Sequence, residues 1–117
     1  MAYISFQPHD YFNTKLYTGT GSSNALTSVG FAPDWVWIKN RSDAYDHVLF
    51  DAVRGVTKNL HSNGNDAEAT EAQTLTAFGS DGFTVGTDGK VNANSNNIVS
   101  WNWKAGTTSG LSGGTIT

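Results

Sequence analysis

The 117-residue chain has no cysteine, only two prolines and few charged residues, at 15%. The missing cysteines exclude a disulfide framework, a cysteine-ligated metal site and a thiol nucleophile. The charged fraction lies below the usual value of about 25%, which is untypical of disordered tails and helical bundles. Seven Lys and Arg stand singly against ten Asp and Glu. This pattern argues against a nucleic-acid partner and against an anionic membrane surface.

Long apolar runs are also missing. No segment reaches the roughly 18 residues that a membrane-spanning helix needs. Residues 1–6 lack the basic start and the apolar stretch of a signal peptide. We therefore expect a protein that is made in a cytoplasm and folds without oxidation.

Glycine (13 residues), together with many Ser, Thr and Asn, is abundant instead. Short apolar runs alternate with turn signals every 8–12 residues or so, which is typical of a sandwich or barrel. Strands are predicted at residues 12–18, 35–39, 47–50, 75–78, 83–85 and 98–104, with a weaker one within 53–60. Residues 66–73 form either a short surface helix or a loop. The sequence thus predicts an all-β fold, an antiparallel two-sheet sandwich with at most one short helix.

Three regions follow from this pattern. Residues 11–106 form the sandwich, residues 1–10 an N-terminal arm, and residues 107–117, rich in Gly, Ser and Thr, a flexible C-terminal arm. Apolar side chains in the arms are candidate contacts with a neighbouring subunit or with a shell protein, by strand addition or packing. These candidates are Tyr3, Ile4, Phe6, Leu111 and Ile116.

The four tryptophans form two W-x-W pairs, Trp35 with Trp37 and Trp101 with Trp103. Alternate residues of a strand share a face, so each pair points to one side of its strand. One interpretation is that the tryptophans fill the core. The other is an exposed row that stacks on sugar rings or on a protein partner. Trp35 and Trp37 are the better candidates for exposure, because Val36 and Ile38 can supply the core face.

Other candidate chemistry is weak. The three histidines are dispersed and match no nucleophile elbow or zinc-binding helix. Asp81 and Asp88 offer too few carboxylates for a calcium site. Asp51 and Arg54 are expected to form a local ion pair. The sequence therefore predicts no catalytic residue, no metal site and no cofactor.

Four blocks in order along the chain carry a family resemblance. Residues 30–41 (GFAPDWVWIKNR), 51–55 (DAVRG), 75–86 (LTAFGSDGFTVG) and 100–106 (SWNWKAG) resemble a module common in virion structural proteins of marine and freshwater bacteriophages. The resemblance covers roughly residues 11–106. It implies a concanavalin-like, jelly-roll sandwich of the kind found in phage tail-fibre and capsid-associated proteins, and it carries over no catalytic residue.

Two functions follow as expectations. The first is a capsid decoration (cement) protein that binds the major capsid protein or other virion proteins as a homo-oligomer, such as a trimer. The alternative is a carbohydrate- or host-receptor-binding module of a tail fibre or spike, with Trp35 and Trp37 stacking on the ligand. A tail or neck structural protein without a ligand is a third. Each places the chain in a virion assembled in the bacterial cytoplasm.

Overall fold

The computed structural model of the protein describes residues 7–105. The arm candidates Tyr3, Ile4, Phe6, Leu111 and Ile116 lie outside these residues. Within them, nine strands form two antiparallel sheets. The all-β, two-sheet sandwich expected from the sequence is confirmed, while the finer jelly-roll assignment stays a prediction.

The elements follow the turn signals of the sequence. A 3₁₀ turn at Pro8–Asp10 precedes the first strand, and a short helix lies between the last two strands. The strands are β1 (Phe12–Thr18), β2 (Asn24–Leu26), β3 (Trp35–Asn40), β4 (Val48–Asp51), β5 (Lys58–His61), β6 (Ala69–Thr70), β7 (Leu75–Gly79), β8 (Gly82–Val85) and β9 (Asn97–Trp103), and the helix is α1 (Gly89–Asn92).

The larger sheet has six strands in the order β1-β9-β3-β4-β5-β6, and the smaller sheet has the order β2-β8-β7. The first and last strands of the chain are neighbours, so β1 begins where β9 ends and Phe12 pairs with Trp103. The core lies between the sheets. Its fully buried apolar side chains come from both layers and from α1, and include Ile38, Phe50, Phe83 and Val91.

The two-residue alternation decides which side chains enter this core. In β3, Val36 and Ile38 are buried while Trp35 and Trp37 point to the other side. In β9 the buried side carries Ile98 and two polar residues as well. One of them, Asn102, uses its amide to donate to the backbone carbonyl of Asn13 in β1 at 3.1 Å.

Asn92 connects the two sheets at the end of α1. Its side chain is fully buried. Its amide donates to the carbonyls of Ser22 at 2.5 Å and Gly86 at 2.8 Å, and its carbonyl oxygen accepts from the backbone N–H of Thr20 at 2.9 Å. The α1 turn itself is capped by Asp88, whose carboxylate accepts from the Lys90 N–H at 2.8 Å.

Of the two alternatives for residues 66–73, the structure shows the loop, which is interrupted by β6. Two other sequence expectations need correction. The weak strand within 53–60 is confined to Lys58–His61, because residues 52–57 turn. The strands β2 and β6 were not expected. No helix among residues 7–105 has the length and hydrophobicity to cross a lipid bilayer.

Candidate functional site

The outer side of the six-stranded sheet carries an unusual set of large apolar side chains. The smaller sheet packs on the opposite side, where the core lies. Register places side chains of β1, β9 and β3 in rows across the outer side. This surface is named the aromatic face, and it consists of Phe12, Leu16, Trp35, Trp37, Trp101 and Trp103.

The first row of the aromatic face runs along one end of the sheet. Trp103 lies directly opposite both Trp35 and Phe12 in the pairing of the strands. The Trp35 and Trp103 rings stack with centroids 4.4 Å apart at 27°, and Phe12 tilts against Trp103 at 5.0 Å. Trp35 and Phe12 each keep 38% of their surface exposed. Cross-strand contacts therefore fix the rings while one side stays open to solvent.

The second row is held by a hydrogen bond as well as by packing. Trp37 lies opposite Trp101, and their rings meet edge to face at 5.4 Å. The Trp37 indole N–H donates to Nδ1 of His47 at 3.0 Å. This bond needs an unprotonated Nδ1. Desolvation, reinforced by the charge of Lys39 and opposed by Asp46, lowers the pKa of His47 below its ordinary 6.5 and favours that neutral form.

The third row ends at the open edge of the sheet. Leu16 of β1 lies opposite Val99, which lies opposite Lys39 of β3. Leu16 is 59% exposed, while Val99 is buried. The ammonium of Lys39 turns aside and donates to the backbone carbonyls of Asn40 and Asp43. The Lys39 ammonium, at the border of the aromatic face, thus already has hydrogen-bond partners within the domain.

The charges beside the first row are also paired. Asp51 lies opposite Trp35, and its carboxylate accepts from the Nε of Arg54. The same guanidinium donates to Glu68 at 3.1 Å, so the expected local ion pair is present within a larger group. Partial burial acts to raise the pKa of Asp51, but the hydrogen bonds and charge of Arg54 outweigh it and lower that pKa. Neither charge is left over to attract an ion to the aromatic face.

The sequence left open whether the tryptophans fill the core or form an exposed row, and the structure decides between the two. All four lie on the outer side of the large sheet and none is part of the core, so the core-filling interpretation is wrong. The candidate pair Trp35 and Trp37 is joined there by the second pair. Sequence reasoning missed Phe12 and Leu16, although the alternation of β1 places both on one face.

Other parts of the described chain offer little chemistry. Residues 7–105 hold no group of three or more His, Asp or Glu side chains placed to bind a metal ion. A shallow cavity of about 210 Å³ lies on the smaller sheet beside the β7–β8 turn. The carboxylate at its rim, Asp81, accepts backbone N–H groups of Gly30 at 2.7 Å and Ser28 at 2.9 Å, which lower its pKa. Asp81 therefore fastens a loop rather than facing a ligand.

Comparison with known proteins bears on this architecture. Residues 7–117 match a family described as Domain of unknown function (DUF7483). The chain belongs to this family. The DUF7483 match includes all nine strands, so the aromatic face is part of the DUF7483 domain itself. No curated protein and no solved structure matches the chain.

Proposed function

We propose that this DUF7483 chain is a non-enzymatic structural protein of a bacteriophage particle, a decoration protein that binds the assembled capsid shell through the aromatic face. The observation that carries the proposal is that all four tryptophans lie on the outer side of the large sheet, opposite the side that packs on the smaller sheet. The four ordered sequence blocks that resemble virion proteins support a location in the phage particle.

The composition of the aromatic face favours a protein partner. Tryptophan is enriched among the residues that dominate binding energy in protein interfaces. Each aromatic side chain has about 150–250 Å² of surface, and Phe12 and Trp35 keep 38% of theirs exposed while the other three indoles keep less. The four indoles and Phe12 can therefore supply at most about 500 Å² of the roughly 800 Å² that one partner contributes to a stable interface, and their neighbours on the same face supply the rest. The neighbouring charged groups already have partners within the domain: Arg54 donates to the Asp51 carboxylate, and Lys39 donates to a backbone carbonyl. Desolvation of unpaired charge would therefore add little cost on binding.

A rigid sheet is also a suitable support for a cement function. The face is built on strands rather than loops, and its rings are fixed by mutual stacking and by the Trp37–His47 bond. Little side-chain freedom is lost when such a surface binds. A capsid presents the same site many times, so modest contacts of each copy add up across the shell.

The test uses particles of the virus that encodes the chain. We expect the protein in purified virions, and we expect recombinant chain to cosediment with particles stripped of it. Trp35→Ala should weaken cosedimentation by at least about tenfold, as for a central interface residue. Val53→Ala, at a side chain that is exposed on a loop, should leave it unchanged. Absence from virions, or equal binding by both variants, would overturn the proposal.

A second candidate is binding of a glycan, as in a receptor-binding module of a tail fibre or spike. The observation that favours it is the stacked pair Trp35–Trp103, in which Trp35 keeps 38% of its surface exposed and can offer an apolar ring to a sugar. Amphipathic aromatic side chains suit ligands with one apolar face and polar edges.

A glycan array and a polysaccharide pull-down separate the two candidates. Under the decoration proposal the chain binds particles and no glycan. Binding to a defined glycan that is lost in Trp35→Ala and Trp37→Ala, with unchanged circular dichroism, would favour the receptor module instead.

A further inference from the structure

The large sheet ends in an open edge at β1. Among residues 7–105, β1 pairs with β9 alone and stands first in the strand order. It is seven residues long, whereas the edge strands β2 and β6 have three and two. The remaining edge strand, β7, already accepts a hydrogen bond from the Thr57 N–H at Leu75. The edge of β1 is therefore the longest open one in the described sandwich.

The bonds at both ends of β1 show which backbone groups point outward. Gly19 donates to Asn96, and the Tyr11 carbonyl accepts from Lys104, each at 2.8 Å. Hydrogen-bonded pairs alternate along an antiparallel ladder. Odd-numbered residues of β1 therefore bond to β9, and the even-numbered residues direct their N–H and C=O groups to the open edge. These residues are Phe12, Thr14, Leu16 and Thr18.

The edge lacks the usual protection against strand pairing. Proteins blunt edges with proline, outward charges, bulges or short strands. β1 contains no proline, and its register with β9 is continuous over all seven residues. The residues whose backbone groups point to the open edge include Phe12 and Leu16, and both have exposed side chains on the outer side of the sheet. The only charged residue of β1, Lys15, has its side chain on the other side of the sheet. A second copy of the chain offers an open strand of the same length for this edge to pair with.

Charge repulsion and apolar contact together favour one register for such a pair of strands. Two copies of β1 related by a two-fold axis run antiparallel, and their outward groups match in more than one register. Centring the axis on Lys15 would set two ammonium groups opposite each other, which is unfavourable. Centring it on Thr14 sets Lys15 opposite the partner's Asn13 and Phe12 opposite the partner's Leu16, an apolar cross-strand pair.

We propose that β1 pairs with β1 of a second copy about a two-fold axis at Thr14, joining two six-stranded sheets into one. The side chains at the joint belong to the outer side of the sheet, so the two aromatic faces become one continuous surface. This arrangement builds a dimer, whereas the sequence analysis named a trimer. The proposal does not depend on the capsid function, because it concerns the chain alone.

The first experiment uses the absence of cysteine in the chain. Thr14→Cys places two thiols on the axis, where a hydrogen-bonded pair has Cα atoms about 5.5 Å apart, within disulfide range. Val53→Cys is the control, because Val53 is 97% exposed and would react first in random collisions. Under mild oxidation of the full chain we expect at least about tenfold more covalent dimer from Thr14→Cys. Equal yields from the two variants would overturn the proposal.

The second experiment measures the mass of the unmodified chain by sedimentation over a concentration series. We expect twice the 12.5 kDa of one chain. Thr14→Pro, which removes an outward N–H, should weaken the dimer at least about tenfold, while Thr14→Val, which keeps it, should not. Circular dichroism checks that both variants fold. A monomer, a trimer, or a dimer formed only after removal of residues 1–6 would contradict the proposal.

Discussion

Asn92 shows how much of this domain depends on single polar residues. Its side chain lies at the meeting point of the segment after β1, the end of β8 and the helix α1. One amide satisfies three backbone groups, two from the segment after β1 and one from the end of β8. A buried backbone group that loses its partner costs free energy, so Asn92 stabilises the junction beyond its own packing.

Replacing this amide should destabilise the fold. Asn92→Ala leaves the Gly86 carbonyl and the Thr20 N–H without their partner, while the Ser22 carbonyl keeps the Thr20 hydroxyl, and we expect a loss of about 2–4 kcal/mol in the free energy of unfolding. Asn94→Ala, at an exposed position two residues away, should change it by less than about 0.5 kcal/mol. Urea denaturation of both variants measures the difference, and equal midpoints would contradict this role of Asn92.

His47 gives the aromatic face a response to pH. The pKa of His47 lies below 6.5 in the folded protein because desolvation and Lys39 disfavour the charged ring. Its contribution to stability is therefore complete above pH 6.5 and is lost as the pH falls through the lowered pKa. Protonation of Nδ1 also removes the acceptor of the Trp37 indole N–H.

We therefore expect the indole N–H resonance and the fluorescence of Trp37 to change as the pH falls below 6.5, the window set by that lowered pKa. His47→Gln should abolish the change, while His9→Gln, at an exposed histidine, should retain it. A titration followed by nuclear magnetic resonance and fluorescence checks both variants. A transition that persists in His47→Gln would show that another group controls it.

Residue patterns predicted which tryptophans share a face but not which way the face points. In β9 the choice was between Trp101 and Trp103 on one side and Ser100 and Asn102 on the other. Hydrophobicity favours burying the indoles, yet Ser100 and Asn102 are buried. The Asn102 side-chain nitrogen donates to the Asn13 carbonyl of β1, which offsets part of the cost of burying the amide, while its Oδ1 has no hydrogen-bond partner among residues 7–105. That bond depends on strand order, which alternation within one strand does not contain.

At the scale of elements, the longer strands were predictable and the shortest were not. The bounds of β1 match the expectation, and those of β3, β7 and β9 agree within about one residue at each end. The strands β2 and β6 have three and two residues, too short for a periodic pattern. They form because β2 pairs with β8 and β6 pairs with β5, and these hydrogen bonds exist only in the folded sheets.

Gly82 controls how closely the elements of the small sheet approach each other. A Cβ at Gly82 would lie 1.9 Å from the carbonyl oxygen of Leu26 in β2. This contact is with backbone, which cannot rotate away. The first position of β8 therefore requires glycine for space, since β2 and β8 pair directly.

Gly82→Ala should separate β2 from β8. We expect it to lower the free energy of unfolding by about 1–3 kcal/mol or more, as overpacking does. Gly64→Ala is the matched control, because its Cβ would meet no atom closer than 3.5 Å. Thermal denaturation of both variants tests the prediction. Amide hydrogen exchange should also show faster exchange in β2 of Gly82→Ala, and unchanged exchange there would contradict the close contact.

At the scale of the whole molecule, charge contributes little to the surface proposed for binding. The chain has a net charge of −3, and the charges beside the aromatic face are paired within the domain. An interface formed by indoles gains its free energy from burial of apolar surface, which salt screening does not weaken.

Binding to virions through this face should consequently tolerate salt. Raising sodium chloride from about 0.05 M to about 0.5 M should change the dissociation constant by less than about threefold. Ammonium sulfate should strengthen binding. Cosedimentation across the salt series measures both effects. A loss of about tenfold or more over that range would point to charged contacts elsewhere on the domain.

The pairing of Phe12 with Trp103 has a topological consequence for gene fusion. The two Cα atoms of such a non-bonded antiparallel pair are about 4.5 Å apart, so entry to the domain and exit from it adjoin each other. A recipient protein can accommodate this unit inside one of its own surface loops without spreading the loop's stems. The sandwich therefore suits insertion as a domain into a surface loop of an unrelated protein, whose own fold would be unchanged.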